Sequence, residues 1–159
     1  MKKSAGLLMY RHGTAGELQV LLAHPGGPFW RTRDEGAWTI PKGEYVEPES
    51  AMDAALREFA EETGFEVTRP LLPLGEVTQK SGKRITAWAF NGDCDPMQLQ
   101  CNTFEMEWPP RSGRRQTYPE IDRVKWFDMS EARRKLLPAQ CELLDRLLRH
   151  IDTPPQQKP

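Results

Sequence analysis

Residues 43–65 read GEYVEPESAMDAALREFAEETGF, and the acids near the end of this stretch decide how the chain is read. Ser50, with Asp53 three residues on, makes a capping-box-like start, and Gly64 is a natural stop, so a helix is predicted over 50–63. At 100° per residue, Met52, Ala55, Leu56, Phe59 and Thr63 fall within about 100° of one another. They form the predicted core face. Glu58, Glu61 and Glu62 share a separate arc, with Ala51 and Ala54 one and two turns earlier. Like charges at these spacings repel by roughly 0.2–0.5 kcal/mol per pair. Taken alone, such a cluster reads as a solvated acidic face, which charge runs usually are. The alternative is a divalent-cation site, since Mg²⁺ takes a few carboxylates, several waters and substrate phosphates.

The rest of the composition narrows the classes. A chain of 159 residues, 38% of them hydrophobic, is enough for one domain with a real core; a single domain is expected over 1–152. With 22 basic and 23 acidic residues the net charge is −1, unlike a protein that coats nucleic acid. Cys94, Cys101 and Cys141 are odd in number and lack C-x-x-C spacing. That argues against a disulfide framework or a zinc site and favours reduced thiols in the cytoplasm. The apolar run from Ala5 to Tyr10 is too short for a signal-peptide core, and no stretch approaches the ~20 apolar residues that span a bilayer. The tail TPPQQKP, 153–159, is Pro-rich and polar and is expected to be disordered.

Strands are predicted at 4–10, 18–24, 38–40, 65–72, 75–80, 84–91, 102–107 and 124–128, the fifth and sixth joined as a hairpin by the turn at 81–83. Residues 111–116, RSGRRQ, read as a basic loop. Ser130 caps a short helix, and Pro138 suits the first turn of a last helix over 138–151. Its Leu143, Leu144, Leu147, Leu148 and Ile151 follow a helical period. Mixed strands and helices point to an α/β layered fold.

The flanks of the acidic helix settle its meaning. Gly43, Glu49, Arg57, Glu58, Phe59, Glu61, Glu62, Gly64 and Phe65 fit G-x5-E-x7-R-E-U-x-E-E-x-G-U, with U a bulky apolar residue. Seven of the nine are fixed residue types, so a chance match at a given start is on the order of 10⁻⁸. This is the Nudix box, and the chain resembles the Nudix hydrolase family. The resemblance implies an α/β/α sandwich around a mixed β-sheet. It implies a pyrophosphohydrolase that cleaves a nucleoside diphosphate linked to another group, using Mg²⁺ with Mn²⁺ as a substitute. Carried over by position, Glu58, Glu61 and Glu62 would be metal ligands, with the Gly43 carbonyl as an extra one. Arg57 would pair with Glu49 and hold the helix against the box loop. Glu58 is the first candidate to take a proton from the attacking water. Glu120 is the second, because many members carry an extra acid before the late strand; Glu105 and Glu107 are further candidates. Lys42, beside Gly43, is a phosphate contact by the same resemblance.

Other basic residues would act by long-range attraction: Lys83 and Arg84 in one turn, Arg111, Arg114 and Arg115 in another. Trp30, Trp38 and Trp88 are candidates to stack a base, with core packing favoured for Trp38. WTIPKG before the box and the WFD–helix ending resemble the diadenosine polyphosphate hydrolase-like branch. Where that branch often carries a tyrosine, this chain has Ser81, Gly82 and Lys83, and where ADP-ribose hydrolases often carry a proline it has Lys80. A triphosphate pyrophosphohydrolase and a nucleotide-sensing binding module are the other readings. The partners expected are a small nucleotide or polyphosphate, with no stable nucleic-acid or membrane binding, in a monomer or homodimer.

Overall fold

The structure, a computed structural model, describes residues 2–152; the expected tail at 153–159 lies outside them. Strand β1 (Lys3–His12) organises the sheet. Ser4 to Tyr10 are all buried, so both of its faces are covered, as for a central strand between two helical layers. Strand β2 (Leu18–Pro25) pairs antiparallel with the end of β1, and β3 (Lys42–Tyr45) pairs antiparallel with its beginning. Gly6 makes the second pairing possible. A Cβ there would lie 2.5 Å from the Pro41 carbonyl oxygen and 2.7 Å from Lys42 Cβ.

Strand β4 (Leu72–Thr78) pairs antiparallel with β5 (Arg84–Asn91), and β5 runs parallel to β1 from Lys3↔Arg84 to Tyr10↔Asn91. A small hairpin, β6 (Thr103–Glu107) with β7 (Arg115–Pro119), stands apart from the main sheet. Strand β8 (Ile121–Asp128) closes the far edge on β2, giving the order β4-β5-β1-β2-β8 with β3 on β1.

Alternation along the central strands feeds two cores. Leu8, Tyr10, Val20 and Leu22 pack against Ala132 of helix α2 (Met129–Lys135) and Leu143, Leu144 and Leu147 of α3 (Cys141–Asp152). Ala5, Leu7, Met9, Leu21 and Ala23 pack against Ala54, Ala55 and Phe59 of α1 (Ala51–Thr63). The result is a mixed sheet between helical layers, the α/β/α sandwich expected. Each fully buried Leu or Phe contributes roughly 1.5–3 kcal/mol.

Helix α1 starts and stops where the residues indicate. The Ser50 hydroxyl accepts from the Asp53 amide at 3.1 Å, and Gly64, at φ 75°, donates its amide to the Ala60 carbonyl. Its buried face is shifted from the predicted one. Ala54, assigned to the acidic arc, is fully buried, whereas Met52 and Leu56 are half-buried. The small alanines let this side of the helix approach the sheet.

Several element predictions fail. Residues 65–71 form no strand; β4 begins only at Leu72. Residues 38–40 make isolated bridges to Ala23 and Leu136 rather than a strand. The basic loop expected at 111–116 gives way to β7 from Arg115 onward. The predicted last helix opens as a 3-10 turn, Pro138–Gln140, before α3.

Candidate active site

Five parts of the chain meet in one cleft of about 440 Å³. Strand β3 supplies Lys42, Gly43 and Glu44, and α1 supplies Glu58, Glu61 and Glu62. The base of the β6–β7 hairpin brings Asn102 and Glu120, β1 brings Ser4, and the β4–β5 turn brings Lys83. Of the residues named from sequence, Lys42, Gly43, Glu58, Glu61, Glu62, Lys83 and Glu120 are thus gathered together.

Gly43 is required by contact. A Cβ on it would lie 2.0 Å from Glu58 Cδ, so the carboxyl group of Glu58 rests against bare backbone. Arg57 binds in two directions. Its Nε and Nη2 donate to the two oxygens of Glu49 at 2.8 and 2.9 Å, a bidentate pair that ties α1 to the loop before it. Its Nη1 donates to Glu58 at 2.9 Å and Glu61 at 3.2 Å. One guanidinium therefore neutralises part of the acidic cluster it precedes.

The hairpin base is fixed by main-chain bonds. The Asn102 amide donates to the Glu61 carbonyl, and the Asn102 carbonyl accepts from the Glu120 amide, each at 2.9 Å. Asn102 thus caps an otherwise orphaned carbonyl of the last turn of α1 and holds Glu120 beside that helix.

The electrostatics favour a cation. Burial pushes the Glu62 carboxyl up to about 8, with the Glu58 and Glu120 carboxylates adding to the rise and Lys42 opposing it. Burial also raises Glu58, against the pull of Arg57. Lys42 is lowered, first by burial and then by the nearby Lys83 ammonium. Lys83 pairs with Glu44 at 2.9 Å and holds that carboxyl below its ordinary range.

The donor set fits Mg²⁺ in kind: hard carboxylate oxygens, a backbone carbonyl at Gly43, and the Ser4 hydroxyl, 1% exposed and without a hydrogen-bond partner. Among the described residues, no three acidic, His or Cys side chains are already gathered in a metal-holding group. Arg57 instead occupies oxygens of Glu58 and Glu61.

The remaining candidates lie elsewhere. Glu49 and Arg57 line a neighbouring depression with Lys2, Lys3 and Tyr45. Arg84 does not line the cleft and lies 3.9 Å from Glu76. Glu105 lies 3.6 Å from Arg115 and Glu107 accepts from the Gly113 amide, both out along the hairpin, and Arg111 and Arg114 are exposed around its turn. Trp38 is core, edge-on to Phe127 and His24. Trp30 lies under Arg33, and Trp88 packs in the core below α1. Sequence reasoning missed Ser4, Glu44 and Asn102. A lone hydroxyl in the apolar run of β1 was the only local signal for Ser4, and nothing local marks Asn102.

A model of the NUDIX domain family matches residues 2–147. The chain therefore belongs to the Nudix family, and it is a Nudix hydrolase with an intact box. An Ap4A hydrolase from C. elegans, solved as a binary complex, superposes with a TM-score of 0.65 at 23% identity, covering 95% of this chain and 98% of that one. The NUDIX domain of Shewanella oneidensis NrtR, complexed with ADP ribose, gives 0.64 at 16% identity, covering 94% and 87%. A MutT/nudix family protein from Listeria innocua gives 0.61 at 20%, covering 94% and 93%. At these identities the likeness is one of fold. No curated protein matches the sequence in a direct search. No helix among the described residues is long and apolar enough to cross a membrane.

Proposed function

We propose that this protein is a Mg²⁺-dependent pyrophosphohydrolase of a nucleoside diphosphate linked to another group, with a dinucleoside polyphosphate such as diadenosine tetraphosphate as substrate. The observation that carries the reading is the single cleft holding five glutamates, Glu44, Glu58, Glu61, Glu62 and Glu120, beside Lys42 and Lys83. Burial, with the repulsion of the neighbouring Glu58 and Glu120 carboxylates added to it, raises Glu62 to about 8 there. Lysines at the same cleft would bind what the acids alone would repel, a polyphosphate.

Glu58, Glu61 and Glu62, with the Gly43 carbonyl, would hold the cation. A bound divalent ion there supplies charge neutralisation and Lewis acidity toward phosphoryl oxygens. Lys42 and Lys83 would orient the phosphate chain. Glu58 or Glu120 would accept the proton of the attacking water. Arg57, fixed by Glu49, would set the height of α1 relative to Gly43 and so position the three acids.

A panel of dinucleoside polyphosphates, triphosphates, nucleotide sugars and coenzyme A, run with Mg²⁺ in heavy-oxygen water, tests this reading and shows which phosphorus is attacked. Glu62→Gln should keep the fold and lower kcat by several orders of magnitude; activity near wild type would sink the proposal. Triphosphate hydrolysis is the second reading, favoured by Lys83 of the β4–β5 turn, which lines the cleft with an ammonium and comes from the window where the dinucleotide-cleaving branch often carries a tyrosine. A folded protein that turns over no compound of the panel would favour a nucleotide-binding module.

A further inference from the structure

Gln140 ends the 3-10 turn before α3 and is fully buried, yet the metal and phosphate chemistry makes no use of it. Its side-chain amide meets two segments that deliver cleft residues. On one side its Oε1 accepts from the Ile40 amide at 3.0 Å, and its Nε2 donates to the Thr39 hydroxyl at 2.9 Å. Thr39 and Ile40 lead through Pro41 into Lys42 and Gly43. On the other side Nε2 donates to Gln79 Oε1 at 3.4 Å. Gln79 opens the β4–β5 turn; its amide donates to the Lys83 carbonyl and its carbonyl accepts from the Gly82 amide, each at 2.8 Å. Both donors and the acceptor of one planar group thus join the approach to Lys42 with the turn that carries Lys83. Two further observations give this link something to resist. Lys83 helps to lower Lys42, so the two ammonium groups repel each other. Thr78, Gln79 and Ser81 face Leu137 and Pro138 across a depression of about 650 Å³, so packing does not wedge the turn in place. The pairing of β5 with β1 fixes only its base, at Lys3↔Arg84, and the Lys83–Glu44 pair at 2.9 Å is too exposed to hold a turn by itself.

We propose that Gln140 is a positioning residue for phosphate binding, which sets the span between Lys42 and Lys83. The inference rests on the reading above, in which these two lysines orient the phosphate chain of the substrate. A polyphosphate presents its oxygens at a fixed spacing, so two ammonium groups bind it best when their separation is set beforehand. With the tether in place, folding itself brings the like charges together, and bound phosphate then relieves their repulsion. Without it, each binding event must draw the turn in. Gln140 lies outside the cleft lining and bonds to none of its acids, so its effect falls on affinity and not on the chemical step.

The test compares wild type with Gln140→Met, Gln79→Leu, Lys83→Ala and the Gln140→Met/Lys83→Ala pair, each checked by circular dichroism and melting temperature. Diadenosine tetraphosphate with Mg²⁺ is the substrate. Calorimetric titration with α,β-methylene ATP, without metal, reads binding apart from turnover. Lys83→Ala should raise KM and Kd at least about tenfold, and each glutamine variant about 2- to 10-fold with kcat within about threefold. In the Lys83→Ala background, Gln140→Met should add less than about twofold, because it acts through that lysine. Gln79→Leu leaves the bonds of Gln140 to Ile40 and Thr39 in place. A role confined to folding therefore leaves KM and Kd unchanged in Gln79→Leu, and that result would overturn the proposal. Should Gln140→Met not fold, Gln79→Leu, alone and with Lys83→Ala, decides by the same criteria. Binding weakened by Lys83→Ala but by neither glutamine variant would overturn the tether and leave the hydrolase reading intact. Analogue binding weakened by all three changes, without turnover of any anhydride, would keep the tether and sink the hydrolase reading. A wild type that neither binds the analogue nor cleaves the dinucleotide would overturn both.

Discussion

At the scale of single residues, the site is defined by groups held in unfavourable surroundings. Glu62 has a folded-state value near 8, above the ordinary 4.5 of its carboxyl. The folded protein therefore binds that proton more tightly than the unfolded chain does. The stability this gives is complete below about pH 4.5 and is lost as pH rises through 8. In metal-free protein, Glu62→Gln should then be more stable than wild type at pH 8, by on the order of 1 kcal/mol, with no gain at pH 4.5. Thermal denaturation of both proteins at both pH values decides it; an equal difference at the two would rule out the assignment. Gly43 is the other residue under direct constraint. Gly43→Ala should push Glu58 off the backbone, destabilise the fold by about 1–3 kcal/mol and lower kcat at least tenfold. Wild-type kinetics in that variant would show that the Glu58 contact does not matter. These residues were legible from their spacing in the box. Ser4 and Asn102 were not, because they reach the cleft only through strand pairing and a main-chain bond, and no fixed spacing along the chain records either; Glu44, next to Gly43, stands at a position the box leaves unspecified.

At the scale of elements, α1 was legible because its cap, its apolar period and its stop agree. Strands β1, β2 and β5 were legible as apolar runs. Residues 65–71 misled because Phe65, Val67 and Leu71 bury their side chains as a strand would, yet they pack against the α1 side of the sheet without a ladder. Residues 38–40 misled similarly; Trp38 and Ile40 are buried, but the Ile40 amide is taken by the Gln140 side chain. Strand β7 was hidden because a hairpin standing off the main sheet needs little apolar alternation, and its sequence is polar and basic. Arg57 joins two elements, and its replacement is informative in two forms. Lysine offers a point charge and cannot fork onto Glu49 while also reaching Glu58 and Glu61. Arg57→Lys should lower the melting temperature, by about 1 kcal/mol or more in free energy, and should lower kcat with it. A variant with unchanged stability and kcat would remove Arg57 from the positioning of α1.

At the scale of the whole molecule, metal and stability are coupled. If the acids of the cleft share a cation, Mg²⁺ stabilises the folded state by mass action, about 2.7 kcal/mol at a hundredfold excess over Kd. Wild type should show this rise in melting temperature in millimolar Mg²⁺, and the Glu58→Gln/Glu62→Gln double variant should lose most of it. An equal rise in both would place the metal elsewhere.

The parallel pairing of β1 with β5 has a consequence for how the chain is made. Synthesis delivers the most buried strand first and its full-length neighbour some eighty residues later. Until Arg84 to Asn91 have left the ribosome, one whole edge of β1 has no native partner, and its apolar residues are open to other chains. Contacts this distant along the chain also slow folding. Truncations ending before Arg84 should therefore aggregate, while those that include Asn91 and β8 can close the sheet from both sides.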